Sequence, residues 1–152
     1  MWKRAKGYFD MVSYKGTGST QNISHNLGVA PEMMWIKKIS GSNNWKTFHT
    51  SLGASYSMEL NTTTYGENNG SALWNSTAPT SSVFTVGSAG DVNSSSHTYI
   101  AYLFASVTGV SKIGSYTGNG STQTIDCGFS PRFILSKKSV NGTGGWLVFD
   151  TE

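Results

Sequence analysis

Short runs of alternating apolar and polar residues, separated by clusters of Gly, Ser, Asn and Pro, run the length of the chain, and this period of two is the mark of half-buried β-strands. The alternation predicts twelve strands, at 10–14, 20–24, 32–39, 45–49, 56–61, 71–74, 82–86, 98–106, 111–116, 122–126, 132–139 and 146–150. Asn69-Gly70, Asn119-Gly120 and Asn141-Gly142 fall between them, and both residue types tolerate the positive φ of tight antiparallel turns. No stretch carries a helical period. The pattern therefore predicts an all-β, antiparallel β-sandwich, jelly-roll-like in character.

Laying the chain on itself adds an internal repeat. Ser13-Tyr14-Lys15-Gly16-Thr17-Gly18-Ser19-Thr20-Gln21-Asn22-Ile23 matches Ser115-Tyr116-Thr117-Gly118-Asn119-Gly120-Ser121-Thr122-Gln123-Thr124-Ile125 at eight of eleven positions. Gly28 then falls on Gly128, Pro31 on Pro131, Lys37-Lys38 on Lys137-Lys138, Trp45 on Trp146 and Phe48 on Phe149. Two arrangements fit. In the preferred one, 1–152 is a single domain whose pseudo-repeated halves, 2–50 and 104–152, pack around a non-repeated middle, 51–103. In the other, 2–103 is a full unit and 104–152 the first part of a second, within a longer array. Tyr14, Tyr116, Trp45, Trp146, Pro31 and Pro131 are read as structural anchors of the repeat. The tyrosines pack at strand ends, the prolines open long apolar strands, and the tryptophans serve as core or inter-sheet anchors.

Composition narrows the class. Ser, Thr, Asn and Gly make up 69 of 152 residues, and only 12% are charged where roughly 25% is usual. That bias disfavours helices, and 12% aromatics argues against disorder. Lys3, Arg4 and Lys6 account for the whole net charge of +3, so no basic stripe is spread along the chain and nucleic acid is not an expected partner. No run of roughly 20 apolar residues predicts membrane insertion, and no apolar run follows the basic N-terminus as in a signal peptide. The single Cys127 makes no internal disulfide.

Candidate chemistry is sparse. The carboxylates are Asp10, Glu32, Glu59, Glu67, Asp91, Asp126, Asp150 and Glu152, with His25, His49 and His97. They show no nucleophile elbow, metal-ligand spacing or phosphate-cradling loop, so no enzyme, cofactor or metal is expected. Aromatic rings beside amides can hold sugars. Trp35, Tyr65 and Trp74 have no aromatic counterpart in the other half, and Asn75 follows Trp74, which makes these four the candidate glycan-binding residues.

Several segments together resemble an uncharacterised β-rich domain common in tailed-phage structural proteins. They are the Tyr-x-Gly-x-Gly-Ser segments, the stretch from Ile23 to Met33, Ser51-Leu52-Gly53-Ala54, the stretch from Trp74 to Phe84 and Tyr99-Ile100-Ala101-Tyr102-Leu103-Phe104-Ala105. The resemblance implies a virion component, tail-fibre or decoration-like, with no catalytic residues. Its expected partners are further copies of itself, with a trimer preferred as in fibres, other virion proteins and host-surface polysaccharide. A stand-alone carbohydrate-binding module is the alternative, and a glycan-processing enzyme the least favoured.

Overall fold

The computed structural model describes residues 3–151. Met1, Trp2 and Glu152, at the ends of the predicted domain and repeat, lie outside the described residues. The fold is almost entirely β, with antiparallel pairing throughout. Its strands are β1 (Phe9–Lys15), β2 (Gln21–Ser24), β3 (Met33–Lys38), β4 (Lys46–His49), β5 (Tyr56–Glu59), β6 (Glu67–Asn68), β7 (Val83–Val86), β8 (Thr98–Phe104), β9 (Phe133–Lys137) and β10 (Trp146–Asp150). A short helical turn, α1 (Gly90–Asn93), precedes β8.

The main sheet runs β1-β8-β3-β4-β5-β6. β8 is an interior strand, paired with β1 from Phe9↔Phe104 to Lys15↔Thr98 and with β3 from Met33↔Phe104 to Lys38↔Tyr99. Its alternation explains the place it takes. Tyr99, Ala101 and Leu103 are fully buried on one face, while Ile100, Tyr102 and Phe104 lie on the other. The buried face meets a small second layer, the β2–β7 pair, together with Leu73, Trp74 and Val92 from the turns between strands. This is the sandwich-like core, made by residues 9–105.

Three predicted strands are absent. Residues 71–74 form turns, which carry Leu73 and Trp74 into the core instead of presenting a strand. Residues 112–116 and 122–126 are unpaired. Their counterparts, β1 and β2, pair with β8 and β7, both from the middle of the chain. A strand without a partner has no ladder to satisfy its backbone groups. β9 and β10, by contrast, pair with each other from Phe133↔Asp150 to Lys137↔Trp146, the same relative register as Met33↔His49 to Ile36↔Lys46 in β3–β4.

The two segments share finer geometry as well. Gly18 and Gly120 have φ of 79° and 77°, Gly28 and Gly128 83° and 77°, and Gly41 and Gly142 123° and 127°. Gln21 donates to Lys15 O at 3.0 Å, and Gln123 to Thr117 O at 3.2 Å.

Candidate functional site: an exposed apolar hairpin

The β9–β10 hairpin is anchored at its turn end. Gly66 N donates to Ser139 O, Gly144 N to Thr63 O and Lys137 Nζ to Thr62 O, while the Trp146 indole donates to Glu59 O at 2.9 Å. Lys137 Nζ also stands 5.5 Å from the Trp146 ring centroid. Burial lowers the Lys137 pKa, with Glu59 acting in the opposite direction. Gly66 is required at this joint, because a Cβ there would come within 2.8 Å of Ser139 O.

Beyond the joint the strands are bare. Phe133, Ile134, Leu147, Val148 and Phe149 are all exposed, on both faces of the pair. The contrast with the first segment is direct: Phe48 is 2% exposed and Phe149 56%, Tyr14 9% and Tyr116 59%. No residue from 106 to 151 is buried. The covers that bury Phe48 and Tyr14, among them Trp74, Phe84 and Tyr99, come from the middle of the chain. A cavity of about 250 Å³ lies within the second segment, lined by Ser106, Val107 and Lys112 and by Cys127, Gly128 and Phe129.

The sequence-derived glycan candidates are not gathered into one place. Trp74 is in the core, 1% exposed, with its indole donating to Tyr56 O and its ring edge-on to Phe48. That corrects its reading as a sugar platform, since a sealed ring offers no face to a ligand. Asn75 sits in a left-handed turn with Ser76, at φ 53° and 50°, and its backbone oxygen accepts from the Thr77 hydroxyl. Trp35 is half-buried on the outer face of β3, 4.6 Å from the Phe104 ring, and its indole N–H is sealed without a hydrogen-bond partner, as is the hydroxyl of its cross-strand neighbour Thr47. Tyr65 alone of the four is exposed, at 41%, in the loop leading to Glu67 and Asn68.

The anchor residues divide as well. Tyr14 packs on Tyr99 and donates to Val92 O, and Pro31 is buried. Trp45 and Trp146 are only half-buried at the rim rather than in the core, because each precedes or opens a strand at the sheet margin.

Most of the carboxylates are committed to the scaffold. Burial would raise the Asp10 pKa, but Arg4 and the N–H groups of Asn26 and Met11 outweigh it and hold the carboxyl below its usual range. Glu32 accepts from Ser106 N and Asp126 from Gly128 N. Lys46 and Glu59 form a buried ion pair at 2.5 Å, extended by Asp91, Asn43, Asn44 and Thr62. Burial opposes both charges there, and the pairing still keeps Glu59 low and Lys46 high. Sequence reasoning missed this cluster, since a Lys in a short strand carries no mark of its direction. Among the described residues no group of three or more His, Cys, Asp or Glu is placed to hold a metal ion, and no helix is long and apolar enough to cross a membrane.

Residues 4–152 match the model of a family described as a domain of unknown function, DUF7483. No curated protein and no solved structure matches the chain.

Proposed function

We propose that this chain, which belongs to the DUF7483 family, is a non-enzymatic structural and adhesive component of a bacteriophage particle, of the tail-fibre or decoration type. The observation that carries the reading is the apolar hairpin of β9 and β10, five large side chains open to solvent on an otherwise sparsely charged, Ser/Thr/Asn-rich protein. Contiguous exposed apolar surface marks an association site, and an uncovered strand pair is an aggregation hazard unless another chain covers it. Assembly with its own copies, three-fold as in fibres, and with other virion proteins is the use proposed for it. The commitment of Asp10, Glu32 and Glu59 to scaffold contacts also supports a non-catalytic role.

The adhesive part is assigned to the Tyr65 loop, where an exposed ring stands near Glu67 and Asn68 and could lie against a host polysaccharide.

Light scattering on a size-exclusion column tests the assembly. A native mass at a multiple of 16.3 kDa, three above all, is the expected result. A strict monomer at high concentration overturns it. Retention on host polysaccharide tests adhesion: Tyr65→Ala abolishes it with the fold intact, and unchanged retention removes the loop from the reading.

A further inference from the structure

The exposed surface on residues 107–151 copies one side of an interface that the molecule already contains. In the first segment that interface has identifiable parts. Tyr14 donates its hydroxyl to Val92 O, and Gln21 donates to Asn93 Oδ1 at 2.7 Å. Gly16 lies against the backbone after α1, so that a Cβ there would stand 2.2 Å from Ser94 O. β8 then fills the place between β1 and β3. Tyr, Gly and Gln at 14, 16 and 21 are thus all explained by residues 92–104.

The same three residue types recur as Tyr116, Gly118 and Gln123, where the explanation is missing. Tyr116 is exposed, Gln123 reaches Thr117 O, and no heavy atom lies within 4 Å of a Cβ built on Gly118. Gly118 has no positive φ to account for it either. A glycine costs backbone entropy on folding and is retained where something approaches closely. At Gly16 the thing that approaches is the α1–β8 segment. At Gly118 nothing approaches.

We propose that residues 107–151 are the acceptor for a donor strand, an extended segment of a partner polypeptide patterned like Gly90–Phe104. Such a segment has an Asn-bearing turn like that of Asn93, followed by the alternation of Tyr99, Ala101 and Leu103. The proposal rests on the reading of this surface as an assembly site and names what it takes. The first segment supplies the register. The donor lies between 111–116 and 133–137, with its Tyr99-like residue opposite Tyr116 and Lys138 and its Phe104-like residue opposite Phe133, as Tyr99 lies opposite Tyr14 and Lys38 and Phe104 opposite Met33. Main-chain hydrogen bonds provide affinity and the alternate side chains provide specificity. Exchange of this segment between copies does not fill both surfaces. These 152 residues hold one such segment for two acceptor surfaces, so exchange among copies always leaves one acceptor open per chain.

The test uses the whole chain and a fluorescent synthetic peptide of residues 89–105. The expected result is saturable one-to-one binding, with slowed amide exchange at 112–117 and 133–137. A peptide of the same composition in scrambled order does not bind. Gly118→Ala, whose added methyl meets open space in the free protein, keeps the circular dichroism spectrum and thermal midpoint but weakens peptide binding by about tenfold or more. Failure of the peptide to bind, equal binding of the scrambled peptide, or full binding by Gly118→Ala each overturns the proposal. Native mass separates it from the wider reading: a trimer that ignores the peptide ends the donor-strand proposal alone, and a monomer that binds it ends self-assembly alone.

Discussion

Asn93 gathers more of the fold than any residue the sequence marks. Fully buried, it accepts from Thr17 N and Gln21 Nε2 and donates to Ser19 O and Gly87 O, tying the first glycine turn to the end of β7. Asn93→Ala strands these partners at once, so chemical denaturation is expected to show a loss of about 2–4 kcal/mol, set by the desolvation of groups left unpaired. His25 is a second local determinant. Its Nδ1 accepts from Leu27 N and its Nε2 donates to Thr80 O, and burial lowers its pKa. The folded state therefore takes up this proton less readily than the unfolded chain, whose His titrates near 6.5. The contribution is complete above that value and is lost as pH falls through the lower folded pKa. His49, also lowered by burial, acts in the same direction. Denaturation midpoints measured across pH 7.5 to 4.5 should fall on acidification, and His25→Asn, which keeps an acceptor for Leu27 N, should flatten the slope. An unchanged slope would remove His25 from the account.

Strands that find partners nearby in sequence were legible from alternation and turn residues, as β3, β4, β9 and β10 illustrate. The pattern at 111–116 is as strand-like as that of β1, yet it forms no ladder, because alternation reports a face to be buried and not whether a partner is present. Trp74 shows the converse: the strand expected at 71–74 is a run of turns instead, yet it carries Trp74 into the core as a buried ring. Trp74→Ala is expected to cost about 3–5 kcal/mol in unfolding measurements, the range for a large ring removed from a core. Trp146→Ala, at a half-buried rim, should cost well under half as much. Equal losses would contradict the placement of either ring. Hydrogen exchange should separate the elements further, with amides of β1, β3 and β8 outlasting those of β9 and β10, since an isolated two-stranded sheet is marginal alone. Uniform protection would mean the hairpin is already covered in solution.

At the scale of the whole molecule the chain divides into a unit with a core, residues 9–105, and an arm without one. The arm's apolar strands tie assembly to stability: Phe149→Lys or Leu147→Lys is expected to lower the native mass of an oligomer while leaving the thermal midpoint of the free chain nearly unchanged, because neither side chain packs in a core. An unaltered oligomer would place its contacts elsewhere. The class of structure was legible in the chain, since an excess of Ser, Thr, Asn and Gly with period-two alternation disfavours helices, and its repeated glycine turns set the local backbone of both segments. The sequence could not determine which strands would be covered. That depends on contacts such as Tyr14 with Tyr99 and Phe48 with Trp74, between residues far apart in the chain, and a two-residue period holds no record of them. It is these long-range contacts that put Trp74 in the core, leave Trp45 and Trp146 at the rim and leave the arm's apolar strands open.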